Sequence, residues 1–392
     1  MGRDHCRVGA VSPHRFDARR TAPDALLAWS PFFAMPILHP IRRILPALPA
    51  AVLAFSSPAR ADDESTIDAV TMGRVFEAAK TPFKYGVVLR GTAEEKVDCP
   101  CVFRHHGAWF MIHIAFDGRG YETRLARSDD LLEWRPMGAI LKRGTGRWDT
   151  EQAAGGAALV DPDWEGKWEI QAHEGRYWMS YLGGARPGYE TPPLSIGLAW
   201  TDDPGAAREW RRFENNPVLG PGDPSARAFE KDTLFKSHIQ RDPAGRLGHP
   251  FVLFYNARQT GPAVERIGVA VSDDLRKWER RGEGPVVENG DQRGISGDPQ
   301  LVRMGDLWVM FYFGAFWRPG AFDTFACSRD LAHWTKWTGP DLVAPSEPWD
   351  KEYAHKPWVV RDQGVVYHFY CATGSEGRVI ALATSKDLRK RP

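Results

Sequence analysis

Ala126-Arg127-Ser128-Asp129-Asp130-Leu131-Leu132-Glu133-Trp134 returns as Ala270-Val271-Ser272-Asp273-Asp274-Leu275-Arg276-Lys277-Trp278. It returns again as Ala326-Cys327-Ser328-Arg329-Asp330-Leu331-Ala332-His333-Trp334. Looser copies are Ala199-Trp200-Thr201-Asp202-Asp203, with Trp210 downstream, and Ala383-Thr384-Ser385-Lys386-Asp387-Leu388. The Ser/Thr positions 128, 201, 272, 328 and 385 lie 73, 71, 56 and 57 residues apart. That spacing is too long for a helical solenoid and suits one four-stranded sheet per copy.

Upstream of each copy runs a segment rich in aromatic and β-branched residues: Trp109–His113, Tyr177–Tyr181, Phe251–Tyr255, Leu307–Tyr312 and Val365–Tyr370. Such composition favours strands. The expected fold is therefore all-β: a five-bladed β-propeller of four-stranded antiparallel blades around a central funnel, formed as a single domain by residues 62–392. In each repeat the Asp is expected to cap a tight turn and the Trp to pack between blades.

Bulk composition agrees. Sixteen Trp, 10 Tyr and 20 Phe beside 38 Gly and 30 Pro suit short strands joined by tight turns, and 43% hydrophobic residues in a 392-residue chain can fill a large core. Aromatic faces also serve as platforms for sugar rings. With 51 basic against 50 acidic residues the net charge is +1, which lacks the basic footprint of a nucleic-acid binder.

The N-terminal region reads differently. After Met35 come the basic pair Arg42 and Arg43, the apolar run Ile44 to Phe55, and the small-residue sequence Ala59-Arg60-Ala61. This is the pattern of a secretory signal peptide cleaved after Ala61, so residues 1–61 are read as leader, with the start at Met35 and a periplasmic or secreted protein beginning at Asp62. The apolar run is shorter than the roughly 20 residues that span a bilayer, so no membrane association is expected after cleavage. Five cysteines make no disulfide framework in so long a chain. Cys327 and Cys371 fall on strands of successive repeats, where either a bridge or two buried thiols would fit.

In a propeller, ligands bind where the first strands of the blades converge. Counting back from each aromatic strand gives Val97-Asp98-Cys99-Pro100 for the first blade and Lys167-Trp168-Glu169-Ile170 for the second. The third has Phe229-Glu230-Lys231-Asp232, running on to His238, the fourth Gly297-Asp298-Pro299, and the fifth Ala354-His355-Lys356-Pro357. Four blades thus offer a carboxylate at about one height, and the fifth offers an imidazole.

Over Asp98 to Leu388, these strand openings and the repeated blade motif resemble the five-bladed glycoside hydrolases of families 43, 32, 117 and 130, and most closely a group of family-43-like glycosylases. The resemblance implies hydrolysis by paired acids, one protonating the leaving oxygen and one activating water, with a third charged group holding the acid's proton. It places the base at Asp98 and the charge-modulating group at Glu169. The acid falls at Glu230, which has the expected residue type, or at Asp232, which aligns better. Asp298, His355, Lys231, His238, Lys356 and Trp168 are the corresponding substrate-binding candidates. Trp148, Asp149, Glu190, Lys236 and Arg293 rank below them, as loop residues that could reach the funnel. No cofactor is required, although the resemblance is compatible with a structural calcium ion in the channel near His355.

The expected activity is exo-acting, inverting cleavage of a terminal sugar from a plant or algal oligosaccharide or polysaccharide. Two other readings stay open. A family-130-like phosphorylase would use Lys231, Lys236, His238, His355 and Lys356 for phosphate. A non-catalytic sugar-binding propeller would use the acids only as hydrogen-bond partners.

Overall fold

A computed structural model describes residues 65–389 apart from 146–147 and 291–292. The leader and cleavage site lie outside the described residues. The protein is mostly β. A short helix, α1 (Ala69–Ala79), is capped by the Asp68 carboxylate, which accepts from the Thr71 amide, and β1 (Phe83–Leu89) follows.

Thereafter the strands pair in successive antiparallel sets of four. The first is β2 (Lys96–His105), β3 (Ala108–Phe116), β4 (Tyr121–Ser128) and β5 (Arg135–Leu141). The next is β6 (Gln152–Ala157), β7 (Tyr177–Gly184), β8 (Ser195–Thr201) and β9 (Arg211–Arg212). Then come β10 (Thr233–Arg241), β11 (Phe251–Arg258), β12 (Val264–Ser272) and β13 (Glu279–Arg281). They are followed by β14 (Gly294–Met304), β15 (Leu307–Ala315), β16 (Ala321–Ser328) and β17 (Thr335–Lys336). Last are β18 (Tyr353–Asp362), β19 (Val365–Gly374) and β20 (Gly377–Thr384). Their fourth strand is β1, from the other end of the described residues, so segments near both ends share one sheet.

The repeated motif builds the turn after each third strand. Asp130 Oδ1 accepts from the amides of Leu132 and Glu133, and Asp274 and Asp330 repeat this. The intervening Leu131, Leu275 and Leu331 all adopt left-handed φ, at 68°, 64° and 67°. Trp134 donates to the Leu131 carbonyl and meets Phe369 of the neighbouring set edge-on at 5.7 Å; Trp334 does the same with Phe254 at 5.5 Å, its indole donating to the Leu331 carbonyl. The tryptophans therefore pack between sets, as expected. Cys327 and Cys371 are buried free thiols, which excludes the bridge: each sits on a strand of a different sheet.

The five first strands lie side by side, β2 against β6, β6 against β10, β10 against β14, β14 against β18, and β18 back against β2. Four of the five carry a register break at one level. The pairing slips between Asp98 and Cys101, Leu234 and Ser237, Gly297 and Gln300, and His355 and Trp358. An extra residue in a strand kinks it and re-aims side chains. Cys99, Asp298 and Lys356 occupy the equivalent left-handed position in three of these bulges, at φ 48°, 51° and 63°.

Candidate active site

Above the bulges opens a cavity of about 180 Å³ lined by Tyr189, Glu190, Asn256, Glu265, Asp298, His355, Lys356 and Arg378, with Phe313, Phe316 and Tyr353 among its apolar walls. Of the expected site residues, Asp98, Asp298, His355 and Lys356 do meet here. Asp98 forms the floor beneath the lining. Its register partner in the repeat is His355, whereas Asp298 stands one residue further along, level with Cys99 and Lys356.

Asp98 is fully engaged. Oδ2 accepts from Tyr189 Oη at 2.8 Å, Lys356 Nζ at 2.9 Å and Arg378 Nη1 at 2.8 Å, while Oδ1 accepts from the Cys99 amide at 2.8 Å. Burial alone would raise its pKa, but Lys356 and Arg378 outweigh burial and hold the carboxyl well below the usual range. A carboxylate with this many donors organises the floor but is a poor proton acceptor. Lys356, so anchored, also donates to Glu190 Oε1 at 3.0 Å.

Glu190 reaches the cavity from the loop between β7 and β8. Gln152 pins that loop by donating to the carbonyls of Arg186 and Gly188 at 3.0 and 2.7 Å. The Tyr189 ring wedges edge-on against Phe116 and Tyr121 at 5.6 and 5.4 Å.

Glu265 comes from the start of β12. Asn256 on β11 donates to its Oε2 at 3.0 Å. Gly297 lets this amide approach, since a Cβ there would stand 2.9 Å from Asn256 Nδ2. Burial, and then the charge of Glu190, push the Glu265 carboxyl up to about 8, against a smaller opposing effect of Arg258. Glu265 therefore keeps its proton at neutral pH.

Asp298 accepts from the Cys99 thiol at 3.3 Å, and burial raises its pKa although Lys356 and Lys236 counteract. His355 Nδ1 lies 3.1 Å from the Cys371 carbonyl. Burial, then Arg378 and Lys356, lower its pKa to about 3, so the ring is neutral. With Nδ1–H donating to the carbonyl, Nε2 is left as an acceptor.

Several expectations are corrected. The first strand of the second set is Gln152–Ala157, so Glu169 is not on it. Glu169 instead bridges Arg104 at the far end of β2, ~20 Å along the strand from Asp98 at about 3.3 Å per residue. Trp168 is core, its indole donating to the Arg361 carbonyl at 2.7 Å. Glu230 is buried outside the cavity, held by Arg227, Arg280 and Tyr255. Burial would raise its pKa, but Tyr255 and Arg227 lower it, the opposite of what an acid needs. Asp232 precedes β10 and pairs with Arg258 at 2.7 Å, and Lys231 beside it is exposed. Neither lines the cavity. His238 lies below it on the axis, with Nδ1 accepting from the Leu301 amide at 2.9 Å.

The axis does not fit calcium. Its lining sets two ammonium groups, of Lys236 and Lys356, beside a single carboxylate, Asp298, with His238 and with Pro100, Pro299 and Pro357. Among the described residues no group of three or more His, Cys, Asp or Glu side chains is arranged to hold a metal. Calcium prefers six to eight oxygen ligands.

Sequence reading passed over Glu265, Tyr189, Asn256 and Arg378, and ranked Glu190 only among loop charges able to reach the funnel. Glu265 left a trace: in Val264-Glu265-Arg266-Ile267 an acid stands in phase with the buried Ile267, Val269 and Val271.

No family model matches the protein. An uncharacterised protein of Mycobacterium tuberculosis, Rv1502, is 28% identical over 269 residues, 65% of this protein and 81% of its own length. A thermostable family-43 glycoside hydrolase shares the fold, with a TM-score of 0.57 at 15% identity over 79% of this protein and 98% of its own length. Two solved structures are much nearer, a complex of BT0996 with RGII and a glycoside hydrolase. Each is 42% identical with a TM-score of 0.80 and covers 83% of this protein and 97% of its own length. At that identity and coverage, the protein belongs to the β-propeller glycoside hydrolases.

Proposed function

We propose that the five strand sets are the blades of a five-bladed propeller and that its cavity removes one terminal sugar at a time from an oligosaccharide. The carrying observation is that Glu190 and Glu265 face one small cavity while burial keeps the Glu265 proton in place. Glu265 gives that proton to the glycosidic oxygen as the bond to the anomeric carbon breaks. Glu190 takes a proton from the water that attacks the same carbon, so the acid and the base come from neighbouring strand sets. Asp98 acts through Lys356 to fix Glu190, and Asp298, Asn256 and the free Nε2 of His355 are placed to meet sugar hydroxyls.

A cavity of about 180 Å³ with a saturated floor has room for a single ring, which favours exo-action. Inversion rests on resemblance to the propeller families, and the anomer of the released sugar checks it. The 42%-identical RGII complex makes an RGII oligosaccharide the first plant glycan to try. Hydrolysis is favoured over phosphorolysis because Lys356 and Arg378, the cations at the cavity, are already committed to Asp98. Export as a mature protein starting at Asp62 belongs to the same proposal.

The test is a panel of RGII and other plant oligosaccharides, with and without phosphate. Sugar release independent of phosphate, reduced by about 10²–10⁴ in both Glu265→Gln and Glu190→Gln, is expected. A sugar 1-phosphate product, or full activity in either variant, contradicts the reading.

A further inference from the structure

Among the described residues only three large hydrophobic side chains are exposed: Val70 (65%), Tyr189 (38%) and Phe316 (40%). Two of the three line the same cavity. Tyr189 is accounted for, because its hydroxyl is bonded to Asp98 and its ring is wedged against Phe116 and Tyr121. Phe316 is not. It has no hydroxyl to place, and it leaves an apolar ring in water at the cavity mouth.

The backbone holds it there against its own preference. Phe316 begins the hairpin between β15 and β16 at φ 66°, a region that bulky residues avoid. The hairpin is nevertheless well fixed. The Trp317 indole donates to the Ile295 carbonyl at 3.0 Å and meets Phe322 edge-on at 5.0 Å. Arg318 is paired with Asp341. The adjacent aromatic thus turns inward while Phe316 is turned outward. Behind Phe316 the guanidinium of Arg293 lies 4.5 Å from the ring centre, and Tyr353 stands edge-on at 6.4 Å. A costly conformation kept by its surroundings at a ligand cavity is the pattern expected of a side chain presented for contact.

We infer that Phe316 is the stacking platform for the sugar on the leaving-group side of the scissile bond, and so sets a preference for oligosaccharides over small aglycones. This rests on the proposed exo-hydrolysis. The ring that enters the cavity is the one released, and the next ring along the substrate must lie at the mouth, where Phe316 stands. An exposed aromatic face there removes apolar C–H surface of that ring from water without demanding a particular hydroxyl pattern.

The experiment compares two substrates carrying the released sugar: the oligosaccharide cleaved in the panel, and the methyl glycoside of the same sugar. In Phe316→Ala, kcat/KM for the oligosaccharide is expected to fall about tenfold, equivalent to about 1.4 kcal/mol, through KM rather than kcat. The methyl glycoside should be unaffected within about twofold, and Phe316→Tyr should keep the wild-type preference. Equal losses on both substrates, or no loss on the oligosaccharide, would overturn the assignment. An inactive wild type would overturn the underlying hydrolase reading instead, and the subsite with it.

Discussion

Glu190 and Lys356, 166 positions apart in the sequence, meet at 3.0 Å between carboxylate Oε1 and ammonium Nζ. Lys356 is in turn 2.9 Å from Asp98, so one buried ammonium ties a β7–β8 loop residue to the floor of the funnel. Asp98→Asn leaves Arg378 without its counter-charge and Lys356 with Glu190 alone. Breaking a buried pair costs about 3–5 kcal/mol, and denaturant unfolding should show a loss of that order, accompanied by reduced kcat. A variant as stable and active as wild type would remove Asp98 from its positioning role.

Glu230 should behave differently. Its partners Arg227 and Arg280 are largely buried, at 8% and 4% side-chain exposure, so Glu230→Gln is expected to destabilise by about 3–5 kcal/mol as well. The pH profile of the folded enzyme should stay unchanged. Loss of the alkaline limb in this variant would instead make Glu230 the acid.

Glu265 also makes stability depend on pH. Its carboxyl is raised from the ordinary 4.5 to about 8 in the folded protein, so between those values the folded state holds a proton that the unfolded state has released. Its contribution is complete below about pH 4.5 and is lost as pH rises through 8. Glu265→Gln lacks this slope. Its melting temperature relative to wild type should therefore climb from pH 5 to pH 8, by a few kcal/mol in stability at most, at about 1.4 kcal/mol per pH unit. A constant difference across that range would show that Glu265 is not buried as a neutral acid.

With two ammonium-bearing side chains at the axis and no metal-binding cluster among the described residues, EDTA treatment followed by gel filtration should leave the rate unchanged. Loss of activity restored by added calcium would contradict the axial reading.

The strand sets and their caps were legible because the Ser-x-Asp-Leu-x-x-Trp unit repeats, and each copy carries its own local chemistry. Asp98, Asp298, His355 and Lys356 were legible for the same reason. They were not in register, however: the bulges place Asp298 level with Cys99, and a one-residue slip leaves no mark in composition. Glu169 was misplaced by counting back a fixed distance, whereas the connection from β6 to β7 is much longer than that from β2 to β3, and Glu230 lies in the short turn Ala228–Glu230 just before β10. Glu265 escaped because it lies on a third strand, and Glu190 was underweighted because tertiary contacts through Gln152 bring its loop inward.

The most direct measurement of the central claim is the pH dependence of kcat/KM for wild type and Glu265→Gln on the same oligosaccharide. The wild-type alkaline limb should fall near pH 8, where Glu265 loses its proton. In the variant the rate should be lower by about 10²–10⁴, the range for a lost general acid, with that limb gone. A variant that keeps the limb at near wild-type rate would show that the proton comes from another residue.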